Sequence, residues 1–313
     1  MPRRKRVEAL IVGAGVAGLS AALFLRDFGV EYLIVEEALQ PGGQLHEIHA
    51  PIQNYLLGIG WESDRLAGAF LNDARASGVS ILVGSPITRI AARTKTVVRG
   101  SEQYQAKALL IATGLRRRAL GVPGEKELED RGVSHSANRD RTAYAGRPVV
   151  VVGGGTAAVE DALLCSEVGS QVTLLHRSSR FRARPDFLAR AKKDPSIRIV
   201  RNARVRRIVG ADRVEAVEYV TRGSRTVRVA NAEAVFIRVG WEPRTELLRG
   251  KLRLDRGGYI QVGWGGVTSA AGVYAAGDVC SPRWPSIANA AGQGASAGWE
   301  IARRLGKAAP VRS

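Results

Sequence analysis

The chain has 313 residues, beyond the ~250–300 at which a single hydrophobic core usually stops growing, so two domains are expected. Hydrophobic residues make up 45% of it, which excludes an intrinsically disordered chain. The net charge is +18 and only two cysteines occur, Cys165 and Cys280, so a disulfide framework is excluded and an anionic partner is favoured.

The opening run Pro2-Arg3-Arg4-Lys5-Arg6 before an apolar stretch has the outline of a signal peptide. That stretch is interrupted by Gly13, Gly15 and Gly18, and it continues into a second strand without a cleavage site. A cytoplasmic location is therefore expected, in keeping with the sparse cysteines. No other segment approaches the ~20 apolar residues of a membrane span.

Residues 7–12 read as a buried strand of a parallel sheet, 16–28 as a helix with Leu19, Leu23 and Phe24 on one side, and 32–35 as the next strand. This is the β-turn-α-β unit that holds a pyrophosphate. Gly13 permits the tight turn, Gly15 lets the backbone approach the phosphates, and Gly18 lets helix and strand pack closely. The helix N-terminus adds unpaired N–H groups. Glu36, at the end of the second strand, is placed to accept hydrogen bonds from ribose hydroxyls.

The unit recurs with a strand at 149–152, the turn Gly153-Gly154-Gly155, a helix at 156–165 opened by Thr156, and a strand at 172–175. Gly153 and Gly155 take the first two glycine places. No acid follows the second strand. The chain reads His176-Arg177-Ser178-Ser179-Arg180-Phe181-Arg182, and cations there favour a 2′-phosphate, hence NADPH over NADH. The fold class is α/β, with two Rossmann-like dinucleotide-binding domains. Two bound dinucleotides imply electron transfer.

Four further segments carry a family resemblance: Pro41-Gly42-Gly43-Gln44-Leu45, Ile52-Gln53-Asn54-Tyr55, Ile111-Ala112-Thr113-Gly114 and Ala275-Ala276-Gly277-Asp278. With the first fingerprint they stand in the order found in low-molecular-weight thioredoxin reductases, which the chain resembles essentially end to end. The resemblance implies FAD at the first site, contacted by Gly43, Gln44, Asn54, Thr113, Gly277 and Asp278, with Asp278 holding the ribityl chain. It implies an NADP-type second site with His176, Arg177, Arg182 and Gly240, although Ser178 and Ala157 depart from the family pattern. It implies a discontinuous FAD domain, 1–115 and 247–313, with the NADP-type domain 116–246 inserted in it, and a homodimer.

The family's redox disulfide is missing. After Gly132-Val133-Ser134 the resemblance would place cysteines at 136 and 139, where Ser136 and Arg139 stand. Two thiols are needed to attack and resolve a substrate disulfide, and neither residue can do so. Asp140 matches the family's proton donor but has no thiolate to serve; an ion pair with Arg139 is the plainer reading. Cys165 reads as a core residue. Cys280 follows Asp278 and is open between a structural place and one near the flavin. His46 and His49 sit in a loop without a third ligand, so no metal site is expected. Arg283-Trp284-Pro285 replaces a family flavin contact, and a helix over 288–301 follows.

From 116 to 244 there are 26 Lys and Arg against 15 Asp and Glu, the densest run being Arg198, Arg201, Arg204, Arg206 and Arg207. This run is open between a solvated strand face and a docking surface for an acidic electron carrier. No nucleic-acid motif accompanies it. The expected function is an FAD-dependent oxidoreductase that moves electrons from a reduced dinucleotide, NADPH, to an external acceptor without an internal disulfide. That acceptor is a small molecule, or a ferredoxin or flavodoxin as in thioredoxin reductase-like ferredoxin/flavodoxin–NADP reductases. The alternatives are a related flavoprotein with another electron donor or a second flavin in the second site, and a flavin-binding sensor without turnover.

Overall fold

A computed structural model describes residues 3–281, 283 and 285–308; Trp284 lies outside the described residues. The chain separates into two compact units, Met1–Arg116 with Glu242–Ser313, and Arg117–Trp241. The return crossing falls at 241/242, earlier than the 246/247 read from the sequence. The reason is local. Arg244 N–H donates to Gly114 O at 3.1 Å and the Thr245 hydroxyl to Gly258 O at 2.8 Å, which ties the chain from 244 onward to the first unit.

In the first unit the strands Ile81–Leu82, Tyr32–Val35, Arg3–Val12 and Glu102–Ile111 run parallel, followed by antiparallel Thr96–Arg99 and Ile87–Ala91. Val273–Ala275 also joins Glu102–Ile111. Leu10, Ile11 and Val12 are all buried, because both faces of a parallel sheet are covered. The first strand begins at Arg3, before the apolar run. Its basic start pairs with Glu102–Gln105, and Lys5 Nζ lies 2.6 Å from Glu102.

The helices Val16–Asp27 and Ile287–Arg304 pack on each other through small residues. A Cβ at Gly294 would lie 2.2 Å from Ala17 O, and one at Gly298 would lie 2.7 Å from Ala21 O. Glycines one turn apart thus let the two backbones touch. Leu25 and Ile301 are fully buried in the same cluster, and truncating either to Ala would cost about 2–5 kcal/mol. The final helix outlasts its sequence estimate at the C-terminal end. Glu300 pairs with Arg303 and Arg304 at 2.7 Å, three and four residues on, and so extends it by a turn. Ser286 caps its start by accepting Asn289 N–H at 3.2 Å.

The second unit has a parallel sheet in the order Ile197–Arg201, Gln171–His176, Pro148–Gly153, Ala234–Arg238, Val133–Ser134. The helix Thr156–Glu167 buries Ala158, Val159, Ala162 and Cys165. A separate antiparallel sheet joins Ala203–Val209, Ala216–Thr221 and Arg228–Asn231. Among the described residues no helix is long and apolar enough to cross a membrane.

Candidate functional site

In the first unit, strand Arg3–Val12 runs into the turn at 13–15. Gly13 has φ +107°, and a Cβ there would lie 2.3 Å from Ala112 O. A Cβ at Gly18 would lie 2.0 Å from Gly13 O. These two glycines let strand, turn and helix close on one another. Gly15 is different: a Cβ there would meet only Gly43 Cα, at 4.0 Å. Gly43, at φ +58°, faces it without a side chain of its own. The result is a backbone cradle at a helix N-terminus, the setting that suits a pyrophosphate.

Glu36 is fixed beside this cradle. One carboxylate oxygen accepts Ala14 N–H at 2.7 Å and the other Ala38 N–H at 2.9 Å. Each oxygen keeps acceptor capacity. Glu36 lines a cavity of about 270 Å³ with Val12, Gly13, Thr113, Arg116 and Arg244. The Thr113 hydroxyl donates to Arg244 O at 2.9 Å.

Asp278 lies in the same unit, after Gly277 at φ +81°. Gly277 N–H donates to Gln293 Oε1 at 2.8 Å, which fixes the turn. Gln44 Nε2 donates to Asp278 Oδ2 at 2.8 Å. Asp278 Oδ1 is buried and has no hydrogen-bond partner among the described residues. Burial pushes this carboxyl above the ordinary carboxylate range, and the Gln44 hydrogen bond pulls the other way. A buried acceptor without a donor is costly and rare, so a ligand hydroxyl is the natural complement. Asn54 is exposed in this unit.

The second turn is built differently. A Cβ at Gly153 would lie 2.3 Å from Arg238 O, and one at Gly154 would lie 2.0 Å from His176 Cε1. Nothing lies within 4 Å of a Cβ at Gly155, so the open place is there. Gly154 was not singled out by the fingerprint spacing, because its constraint comes from a side chain 22 positions on, at the end of the next strand. His176 is 7% exposed, with Nε2 2.9 Å from Arg180 O. The Thr156 hydroxyl accepts Arg184 N–H at 3.2 Å. Arg177 and Arg182 are exposed and carry no ion-pair partner among the described residues. Gly240, at φ +101°, accepts Arg118 N–H at 2.9 Å.

The segment at 136–140 is held by polar contacts. Ser136 is 3% exposed and caps the short helix Ala137–Asp140, accepting Arg139 N–H at 3.4 Å. Arg139 pairs with Asp140 through two contacts of 2.8 and 2.9 Å. Asp140 also accepts the Ser134 hydroxyl at 2.6 Å. Asp161, 1% exposed, accepts Ala137 N–H at 3.1 Å. Sequence reasoning missed Asp161; its only signal is an acid inside an apolar helix.

Both cysteines are free. Burial pushes each thiol up to about 12. Cys280 Sγ donates to Gly277 O at 3.2 Å and Gln293 Oε1 at 3.4 Å, so it is a member of the turn that presents Asp278. Among the described residues no group of three or more His, Cys, Asp or Glu is arranged to hold a metal ion.

The basic run lies on strands, as read. Arg198, Arg201, Arg204, Arg206 and Arg207 are all exposed. The register of Ala203–Val209 against Ala216–Thr221 shifts between Val205 and Arg207. Such a bulge leaves one residue extra, so Arg206 and Arg207 are both exposed, where strict alternation would bury one.

The family model for pyridine nucleotide-disulphide oxidoreductases matches residues 7–294. This chain belongs to that family. A thioredoxin reductase of Listeria innocua is 34% identical over 94% of this chain and 92% of that protein. A 34.2 kDa protein in a rubredoxin operon of Clostridium pasteurianum is 29% identical over 98% of this chain and 99% of that protein. Among solved structures, Lactococcus lactis thioredoxin reductase superposes with a TM-score of 0.81 at 28% identity, covering 96% of this chain and 100% of that one.

Thioredoxin reductase-like members of the family bind FAD and NADPH. The features of the first unit fit FAD: the Gly15–Gly43 cradle leaves backbone space of the kind a pyrophosphate needs, and Asp278 Oδ1 is an acceptor without a donor among the described residues. This pyridine nucleotide-disulphide oxidoreductase has no C-x-x-C pair anywhere in its sequence.

Proposed function

We propose that this chain is an FAD-dependent oxidoreductase that takes electrons from NADPH and delivers them to an external acceptor without an internal redox disulfide. The observation that carries this reading is the state of positions 136 and 139. Ser136 is committed as a helix cap and Arg139 as the partner of Asp140. Neither can form a disulfide, and the chain's two thiols, Cys165 buried and Cys280 partly buried, are both pushed up to about 12 and so stay protonated near neutral pH.

Gly13, Gly15, Gly18 and Gly43 would hold the FAD pyrophosphate, Glu36 the ribose, and Asp278 with Gln44 the ribityl hydroxyls. When bound, the flavin supplies the hydride-accepting chemistry. Arg177 and Arg182 would hold the 2′-phosphate of NADPH, each by a charge-assisted hydrogen bond. The acceptor fits a small acidic electron carrier, as in NADP reductases that serve ferredoxin or flavodoxin. The exposed Arg204, Arg206 and Arg207 support this, together with Val229, which is 58% exposed on the same antiparallel sheet, and Val227, 51% exposed just before its strand. The operon named for the Clostridium pasteurianum relative agrees with a small carrier.

The test is anaerobic mixing of FAD-loaded protein with NADPH, followed by addition of ferricyanide, a ferredoxin or thioredoxin. Flavin bleaching by NADPH and reoxidation by the first two are expected, with no thioredoxin turnover. Robust thioredoxin reduction would overturn the reading.

A further inference from the structure

His176 is one of the few histidines of the chain, and its ring sits where the second glycine turn has no side chain. A Cβ on Gly154 would lie 2.0 Å from His176 Cε1, 2.1 Å from Nδ1 and 2.6 Å from Nε2. The ring thus fills the volume that Gly154 leaves open. Its Nε2 lies 2.9 Å from Arg180 O. A carbonyl only accepts, so Nε2 carries the proton and Nδ1 is left facing the glycine. The ring also packs on Phe181, with centroids 4.5 Å apart. Arg182 N–H donates to Gly154 O at 2.8 Å. The turn and the loop that bears Arg177 and Arg182 are therefore joined at three points, two of them through the His176 ring.

The sequence pattern groups His176 with the arginines as a phosphate contact. The geometry gives it different work. Its Nε2–H is already spent on Arg180 O, its Nδ1 faces Gly154, and the ring is buried while Arg177 and Arg182 are exposed. We infer that His176 is a positioning residue of the second dinucleotide site: it fastens the glycine turn to the arginine loop and touches no phosphate. This deepens the reading of the second site as an NADPH site, and rests on it. Loss of the ring loosens turn and loop together. It weakens every dinucleotide that uses the turn, whatever stands on its 2′-position. Loss of Arg177 weakens only the 2′-phosphorylated one.

The experiment uses FAD-loaded protein and measures equilibrium binding of NADPH and NADH, with the melting temperature recorded alongside. The variants are Gly154→Ala, His176→Ala, the two combined, His176→Gln and Arg177→Ala. Gly154→Ala forces a methyl into the ring, and overpacking of this kind should lower both affinities about tenfold. His176→Ala should weaken both nucleotides by the same factor, leaving their ratio unchanged. The combined variant should bind more tightly and melt higher than Gly154→Ala alone, because the methyl then occupies space the ring has vacated. His176→Gln keeps an N–H for Arg180 O and should restore much of the loss. Arg177→Ala should lower NADPH affinity alone. If His176→Ala weakens NADPH and spares NADH, His176 is a phosphate ligand and the inference is wrong. It is equally wrong if the combined variant melts no higher than Gly154→Ala. Wild-type protein that binds neither nucleotide would overturn the NADPH reading, and the melting series would still decide whether ring and glycine are coupled.

Discussion

Asp161 and Arg238 form a two-armed ion pair inside the second unit, with Nε to Oδ2 at 2.8 Å and Nη2 to Oδ1 at 3.0 Å. Asp161 also accepts Ala137 N–H, so one carboxylate ties the helix Thr156–Glu167 to a sheet strand and to the segment that begins at Ser136. Removing one arm strands a charge: the Arg238 side chain is only 18% exposed. Asp161→Ala should therefore cost about 3–5 kcal/mol in urea unfolding. Replacing both members, Asp161→Leu with Arg238→Met, should recover most of that loss. A single variant within experimental error of wild type would show that the pair contributes nothing to stability.

FAD affinity should depend on pH through Asp278. Burial raises its carboxyl pKa in the folded protein without flavin. A ribityl hydroxyl donates best to the ionised form, so binding is strongest above that raised pKa and is lost as pH falls through it. The loss should begin at a higher pH than an ordinary aspartate allows. Flavin fluorescence, quenched on binding, reports the dissociation constant across pH. Asp278→Asn should flatten the profile and weaken binding by about 1.5–3 kcal/mol at neutral pH. An unchanged profile in that variant would remove the assignment.

The two cysteines should be inert in the folded protein. Only the thiolate is nucleophilic, and both thiols are pushed up to about 12 by burial. Iodoacetamide at neutral pH should leave Cys165 and Cys280 unmodified over hours and label both after denaturation. Rapid labelling of Cys280 in native protein would mean that the Gly277–Cys280 turn opens easily.

Arg177→Ala combined with Arg182→Ala should raise the NADPH Michaelis constant at least tenfold, with a much smaller change for NADH, since charged hydrogen bonds are worth about 1.5–3 kcal/mol each. Ser178→Arg adds a cation to the same exposed loop and should tighten NADPH. Equal use of both nucleotides before and after these changes would exclude a 2′-phosphate contact.

Electron delivery to an acidic carrier should slow steeply with salt, because exposed charges are screened over about 8 Å at physiological ionic strength. Replacing Arg204, Arg206 and Arg207 with Ala should lower the association rate and leave NADPH oxidation by ferricyanide unchanged. A rate independent of salt would return the strand face to plain solvation.

Both nucleotide units were legible in the sequence because their constraints are short-range. Gly18 closes on the carbonyl of Gly13 in the same turn, Gly13 itself takes the positive φ that the turn requires, and apolar runs such as 149–152 mark buried parallel strands wherever they occur. Substitution of both redox positions was equally plain, since chemistry is lost with the residue type alone. Element ends were less legible. The final helix runs to Arg304 because Glu300 meets Arg303 and Arg304, which an apolar pattern does not record.

Tertiary structure alone decided which side chains meet. Gln44 and Asp278 are 234 residues apart in the chain and hydrogen-bond at 2.8 Å, leaving the second Asp278 oxygen orphaned. Gly154 is constrained by the His176 ring, and Ala137 by the Asp161 carboxylate. Spacing in a sequence encodes the period of a helix or strand and the stereochemistry of a turn. It does not encode which distant group arrives to fill a missing Cβ or to accept a particular N–H. That pairing exists only after the sheets and helices have stacked, and it separates the exposed arginines of the second site from its buried histidine.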